Sequence, residues 1–487
     1  MDSDYKQITT QNNEPNEGRQ SCKTPRKFFF RQLFVTSGAW TIYFLVGLYV
    51  GAPTVIIPQL RREANSTDAV SLQMASWLSS MSSYSSLLWE CVLPFILSFY
   101  GRKITSIIIH TSTLIVTIAF YFSSTTTHLL ISEFLHGIPY AGILTTSVLI
   151  IAEYSSPSNR GIFLIVKSAS VFWGIWVSNA VGTFFHWRNI ALVGFVCSAY
   201  SLTVFFWPES PFWLATKGRY EDCKKSHRWL KGVGEKSERE LRNMIISQTD
   251  VKNVDTENVL AYTFKTLRSK EFYLPVIVGC LPIIMYQFSG KIVFNIYAIE
   301  VMKKISDNES AAYTGMLIMD GVTVFSMYVS SIISKYTTRK FLLMSTSISS
   351  IVFLLVLSLY LYLVKLCILT ENVYVSICFL TGFSLFVSMG PASLCLALYG
   401  ELVPLRHKSL AVIVTAAVMS FMQATNLKVA PYMFRSVGIH GACLFYGLTS
   451  SAFIILLIKY LPETKDKTLQ EVQEYFKKDR DEINTLV

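Results

Sequence analysis

Residues 208–214 read PESPFWL and residues 462–468 read PETKDKT, each directly after a long apolar stretch. Two near-copies of one polar phrase, about half a chain apart, predict a duplicated membrane architecture. In such duplicated folds a solute site lies between the halves, near the bilayer midplane.

Composition agrees. The 487 residues are 52% hydrophobic and 15% charged, with a mean hydropathy of +0.41, whereas a soluble chain carries about 25% charge. Twelve apolar stretches are long enough to cross a bilayer as helices, near 36–58, 74–98, 104–123, 129–152, 161–184, 188–207, 273–296, 311–334, 341–364, 374–398, 409–432 and 439–460. Helix is the form expected, because lipid cannot satisfy an open strand edge. The predicted organisation is a disordered tail (1–33), a six-helix half (34–207), a linker (208–272), a second six-helix half (273–460) and a polar tail (461–487). Within the linker, EKSERELRNMI (235–245) spaces its apolar residues helically, predicting short amphipathic helices.

The net charge of +11 is informative through its placement. Lys and Arg concentrate in the first tail and the linker, which predicts cytoplasmic termini and a multi-pass plasma-membrane protein. This basicity reads as topology and attraction to lipid headgroups, not as nucleic-acid binding. No short apolar core precedes a small-residue cleavage site in residues 1–33, so the first span is expected to direct its own insertion. The nine cysteines are scattered without a CxxC pair, so neither a disulfide framework nor a metal site is expected. No nucleotide loop is seen, no cofactor is expected, and a soluble enzyme is excluded. The sequons at Asn65 and Asn308 fall on the predicted outside and permit glycosylation.

Several motifs, taken in order, carry a resemblance. GRK (101–103), Glu153 with Arg160-Gly161, Gly174 and Gly182, PESPFWL, QFSG (287–290), Thr338-Arg339-Lys340, GELVP (400–404), Lys428, GIHGACLFYG (438–447) and PETKDKTL span roughly 35–475. The chain resembles the sugar porter family of the major facilitator superfamily, and within it the insect facilitated trehalose transporters. The resemblance implies an all-α membrane protein of twelve transmembrane helices in two six-helix halves, moving a sugar or other polar solute by alternating access. It is expected to work as a monomer in the lipid bilayer. It further implies gating charges at Glu153, Arg160, Arg102, Glu209, Glu401, Arg406, Arg339 and Glu463. Pairs among these would hold the cytoplasmic side shut when the cavity faces outward, each worth ~1 kcal/mol if partly exposed.

The substrate positions depart from the family pattern. Where the family places amides and aromatic rings, this chain has Ser168, Tyr286, Gln287, Ile292, Leu396, Met419 and Ser420. Of these, Gln287 matches the family residue. The acid preceding each basic turn is Ser98 in one half and Ser334 in the other, and Glu133 stands for an Arg. Charges also appear inside spans: Lys167, Lys291, Glu90, Glu133 and Asp320. Such charges usually face a cavity or a partner. Gln287, Lys291 and Asn295, four residues apart, are expected on one face of an unbroken helix. Lys167 or Lys291 would then line the cavity, unless Lys291 pairs with Asp320 instead. Trp77 is expected to serve packing. The first span, at 36–58, contains no acidic residue, which favours facilitated diffusion over proton coupling. Two other readings remain: an organic-ion transporter of the same superfamily, disfavoured by the short 59–73 loop, and a non-transporting nutrient sensor.

Overall fold

The computed structural model describes residues 26–64, 70–251, 268–305, 309–403 and 408–465. Among them it is helical, with no strand. Asn65, Asn308 and Arg406 lie outside these ranges.

The first half contains α1 (Arg26–Glu63), α2 (Leu72–Tyr100), α3 (Arg102–Tyr121), α4 (Thr126–Thr145), α5 (Ser147–Tyr154), α6 (Pro157–Phe184) and α7 (Asn189–Ser201). The linker carries α8 (Pro211–Thr216), α9 (Tyr220–Lys231) and α10 (Glu235–Val251). The second half contains α11 (Lys270–Gln287), α12 (Lys291–Ile296), α13 (Ala298–Ile305), α14 (Glu309–Tyr336), α15 (Arg339–Lys365), α16 (Val373–Met389), α17 (Pro391–Leu402), α18 (Lys408–Ser436) and α19 (Gly438–Tyr460). The inner end is the one that carries the basic turns and the linker helices.

Ten helices among the described residues are long and apolar enough to cross a membrane. The other two spans of the twelve are α2 and the consecutive pair α4–α5, and both are diluted by polar residues. Buried serines fill one side of α2. Ser76, Ser79 and Ser80 return their hydroxyls to carbonyls three or four residues back, so they carry little polarity into the packing. Their small size admits close neighbours. A Cβ on Gly137 of α4 would stand 2.4 Å from the Ser85 hydroxyl.

Helix α1 starts at Arg26, within the stretch expected to be a disordered tail. Gln32 explains why. Its buried amide donates to the Ser156 hydroxyl (2.8 Å) and to the Leu230 carbonyl (3.2 Å), and it accepts from the Ser156 N–H. Arg31 donates to the Trp229 carbonyl (2.9 Å). These bonds fasten the end of α1 to α9, and α9 is joined to α10 by Arg228–Glu238 (2.8 Å) and Lys231–Glu240 (2.6 Å).

The seventh span departs from expectation. It is not one helix. Phe288, Ser289 and Gly290 interrupt it, with Gly290 at φ +77°, a left-handed conformation natural to glycine. Gln287 therefore ends α11, while Lys291 begins α12 beyond a three-residue turn.

At the outer end the halves pack together. Ala298, Ile299, Met316 and Met319 from the second half join the buried cluster around α1, and Arg62 pairs with Glu309 across the gap (2.8 Å). Further in, the halves meet along two seams, α2 against α18 and α6 against α14.

Candidate functional site

The two copies of the quoted phrase do the same work. Glu209 accepts the backbone N–H groups of Arg102 (2.9 Å) and Lys103 (3.2 Å) at the start of α3. Glu463 accepts those of Arg339 (3.2 Å) and Lys340 (3.1 Å) at the start of α15. Each carboxylate thus caps the helix that follows its half's basic turn, where unpaired donors and the helix dipole favour negative charge. Burial pushes Glu463 up, but the N–H groups of Lys465, Lys340 and Arg339 and the Thr338 hydroxyl outweigh it, holding the carboxyl below its ordinary value. Gly101, at φ +96°, admits this arrangement in the first half, since a Cβ there would stand 2.4 Å from a Glu209 oxygen.

Beside the first cap, Arg102 grips Glu153 with two bonds, Nε to Oε2 at 2.8 Å and Nη2 to Oε1 at 2.6 Å. Ser210 donates to the same carboxylate. The pair is only 11% and 12% exposed, so it is far better shielded than the weak surface contact expected from sequence. It also lies wholly within the first half, and it is formed while the outer end is closed. The Arg160 Nε is buried and has no hydrogen-bond partner. Glu401 lies in helical backbone.

Between the halves, near mid-depth, sits a polar cluster. Gln287 is buried and donates weakly to the Met419 carbonyl (3.4 Å), while the Asn426 side chain donates to the Gln287 carbonyl (3.0 Å). The buried Tyr286 lies within electrostatic reach of Tyr140 and Cys395. The Tyr140 hydroxyl faces Ser83 and Gln423. The Lys167 ammonium stands 5.2 Å from the Tyr43 ring centre, near Cys395, with no ion pair among the described residues. These groups come from α1, α2, α4, α6, α11, α17 and α18, so both halves supply the cluster.

Other expected site residues stand elsewhere. Lys291 is 1% exposed. Its ammonium donates to Thr323 (2.6 Å) and to Ser384, both in the second half, so its hydrogen bonds are spent within that half. The break at Gly290 leaves it on a different helix from Gln287, with different partners. Asp320 is near enough to attract Lys291 but takes its hydrogen bond from Asn179 (2.6 Å), across the α6–α14 seam. Ser168 returns its hydroxyl to Leu164 of its own helix (3.2 Å). Asn295 is buried with its carbonyl oxygen unpartnered. Leu396 is 39% exposed and apolar, so it offers surface without a hydrogen bond.

Ser420 has a partner that sequence reading missed. Its hydroxyl donates to Glu90 Oε1, joining α18 to α2 across the other seam, and Ser86 donates to the same oxygen. The acid inside a serine-rich span was the available signal. Nearer the outer end, the Lys428 ammonium lies 3.4 Å from the centre of the Trp77 ring. Trp77 therefore does more than pack. It holds a cation from the opposite half.

The sequence model described as "Sugar (and other) transporter" matches residues 33–476. A facilitated trehalose transporter of Bombyx mori is 26% identical over 66% of this chain; the match spans 63% of that protein, less than two thirds of its length. A facilitated trehalose transporter of Apis mellifera ligustica is 22% identical over 89% of this chain and 85% of its own. A plant protein, sugar transporter ERD6-like 6 of Arabidopsis thaliana, is 25% identical over 78% of each. Among solved structures, the proton:xylose symporter XylE bound to 6-bromo-6-deoxy-D-glucose superposes with a TM-score of 0.74 at 16% identity, over 93% of this chain and all of that one. The inward-open form of XylE from E. coli gives 0.73 at 15% identity, over 91% and 99%. These likenesses establish the major facilitator fold.

Proposed function

This chain belongs to the sugar (and other) transporter family, and from that premise we propose that it carries a sugar, trehalose or a hexose, across the plasma membrane by facilitated alternating access. It works as a monomer with both termini in the cytoplasm. The observation that carries this reading is the mid-depth cluster built by both halves. An amide (Gln287), phenols (Tyr286, Tyr140) and a ring-stacked ammonium (Lys167) supply donors and an aromatic face, which suits a hydroxyl-rich ring. The outer end is shut over it by Arg62–Glu309, the Trp77–Lys428 contact and the packing of Ile299 against α1.

Alternating access needs two states of similar energy, and these outer contacts suit that need. Arg62 and Glu309 are 60% and 51% exposed, so their pair is worth at most ~1 kcal/mol. Helix α1 has no acid before Glu63, which supports uniport. Transport is accordingly expected to be indifferent to protonophores.

The test is uptake of labelled trehalose and glucose in oocytes with verified surface expression. Saturable uptake of either is expected. Gln287→Ala should lower it ten- to a hundredfold, the cost of one or two buried hydrogen bonds. No uptake of either sugar by surface-expressed protein would defeat the reading.

The outer gate makes a second prediction. Arg62→Glu sets two carboxylates against each other and is expected to favour the outward-open form. A cysteine placed at Ile299, 1% exposed here, should then react several-fold faster with an impermeant thiol reagent. An unchanged rate would exclude this pair from the gate.

A further inference from the structure

A cleft of about 700 Å³ opens at the inner end of the first half, where α2 and α3 meet the linker helices. Its walls are of two kinds. Phe99, Tyr100 and Ile104 form the side toward the spans, and all three are strongly exposed. They continue a column of exposed apolar residues along α2, namely Leu88, Val92 and Phe95, spaced as one helix face. The opposite wall, from α8 and α9, brings Trp213, Trp229, Arg219 and Lys225, and Lys103 reaches in from α3.

The charges of this cleft are unbalanced. Its acids are already satisfied: Asp222 pairs with Arg219 (2.7 Å), and Glu209 is held by backbone N–H groups. Lys103 and Lys225 form no ion pair among the described residues, the nearby Glu221 being paired with Lys224 (2.8 Å), and neither does Lys217, which stands 5.8 Å from the Phe99 ring centre and 5.7 Å from that of Trp213. Two ammonium groups, of Lys103 and Lys225, therefore line a cavity with aromatic walls and an apolar approach, and a third, of Lys217, stands against two of its wall rings.

The second half supplies the contrast. It repeats the basic turn and the capping glutamate, yet the two amines nearest that turn and cap are occupied. Lys340, at the place of Lys103 in the repeat, donates to the Ile458 carbonyl (3.0 Å). Lys465 donates to the carbonyls of Lys335 and Thr337. The frame is duplicated, but the amine at this place in the turn is bonded in the second half and not in the first, so the frame does not by itself require a free Lys103.

We propose that this cleft binds the phosphorylated inositol headgroup of an anionic phospholipid of the inner leaflet, with Lys103, Lys217 and Lys225 holding the phosphates and the exposed α2 column receiving the acyl chains. Basic pockets at the cytoplasmic surface of spanning helices suit such headgroups, and tryptophan and tyrosine favour the interfacial depth. The apolar approach distinguishes a lipid from a free anion, which would gain nothing from Phe95 and Phe99. The site is separate from the mid-depth cluster, so its test stands apart from the transport reading.

The experiment uses the full chain in phosphatidylcholine nanodiscs and measures retention of added phosphatidylinositol 4-phosphate by native mass spectrometry. The wild type is expected to keep this lipid in preference to phosphatidylcholine. The triple variant Lys103→Gln, Lys217→Gln, Lys225→Gln should bind it about a hundredfold more weakly, each cation contributing near the surface. Lys465→Gln, in the other half, should bind as the wild type does. A thermal melt accompanies each variant, so that misfolding is recognised. Equal retention by the wild type and a folded triple variant would overturn the proposal. So would soluble inositol phosphate displacing the lipid at equal concentration, since that outcome assigns the site to a free anion.

Discussion

Replacing Gly174 with alanine is expected to remove the folded protein from the membrane. A Cβ at this position would lie 2.0 Å from the Phe44 carbonyl oxygen and 2.6 Å from the Leu48 nitrogen. Both are backbone atoms of α1, so no side-chain rotation relieves the clash. Gly47, on the facing helix, is equally confined, at 1.9 Å from the Val171 carbonyl. Helices α1 and α6 thus touch backbone to backbone through two glycines, the close approach that small residues permit within a membrane. Separating them would open the core of the first half, where overpacking ordinarily costs about 1–3 kcal/mol and more when backbone must move. The control lies on the same helix. Gly161 also belongs to the quoted motifs, yet a Cβ there meets nothing within 4 Å, so Gly161→Ala should stay within about 0.5 kcal/mol of the parent. Surface labelling and size-exclusion profiles of the two variants decide the matter. Normal surface levels and a parental melt for Gly174→Ala would refute the close-packing account.

That contrast shows what sequence can carry. The order of spans and the duplicated polar phrase are legible, because each depends on local composition or on residues at a fixed place, whereas the phrase's glutamates, expected as gating charges, turn out to cap helices. Gly161 and Gly174 look alike as motif glycines, and their difference exists only in what the neighbouring helix presents. The same limit applies at the centre. QFSG was legible as a motif, but the break at Gly290 was not, and that break leaves Lys291 on a separate helix, bonded to Thr323 and Ser384, instead of alongside Gln287. Glu90 was visible as an acid in a span. Its partner Ser420 comes from 330 residues away in the other half, and no spacing rule connects the two.

Truncating Glu153 to alanine is the other change with a large expected effect, and its outcome decides what the inner charges do. If Arg102–Glu153 is a weak pair that closes the inner end in one state of the cycle, its loss shifts the balance between states and leaves the melt unchanged. The geometry argues otherwise. The pair is doubly hydrogen-bonded, almost fully shielded and confined to one half. It joins the start of α3 to the end of α5, and through Ser210 to the linker. A half that moves as a rigid body keeps such a pair throughout the cycle. Glu153→Ala leaves the Arg102 guanidinium buried without its counter-charge, which costs about 3–5 kcal/mol in comparable buried pairs. The purified protein should melt well below the parent, and Arg102→Ala should behave similarly. The double variant should lose less than the sum of the two, because it leaves neither charge stranded. A parental melt for Glu153→Ala, together with faster thiol labelling at the inner end, would return the pair to the role of a gate.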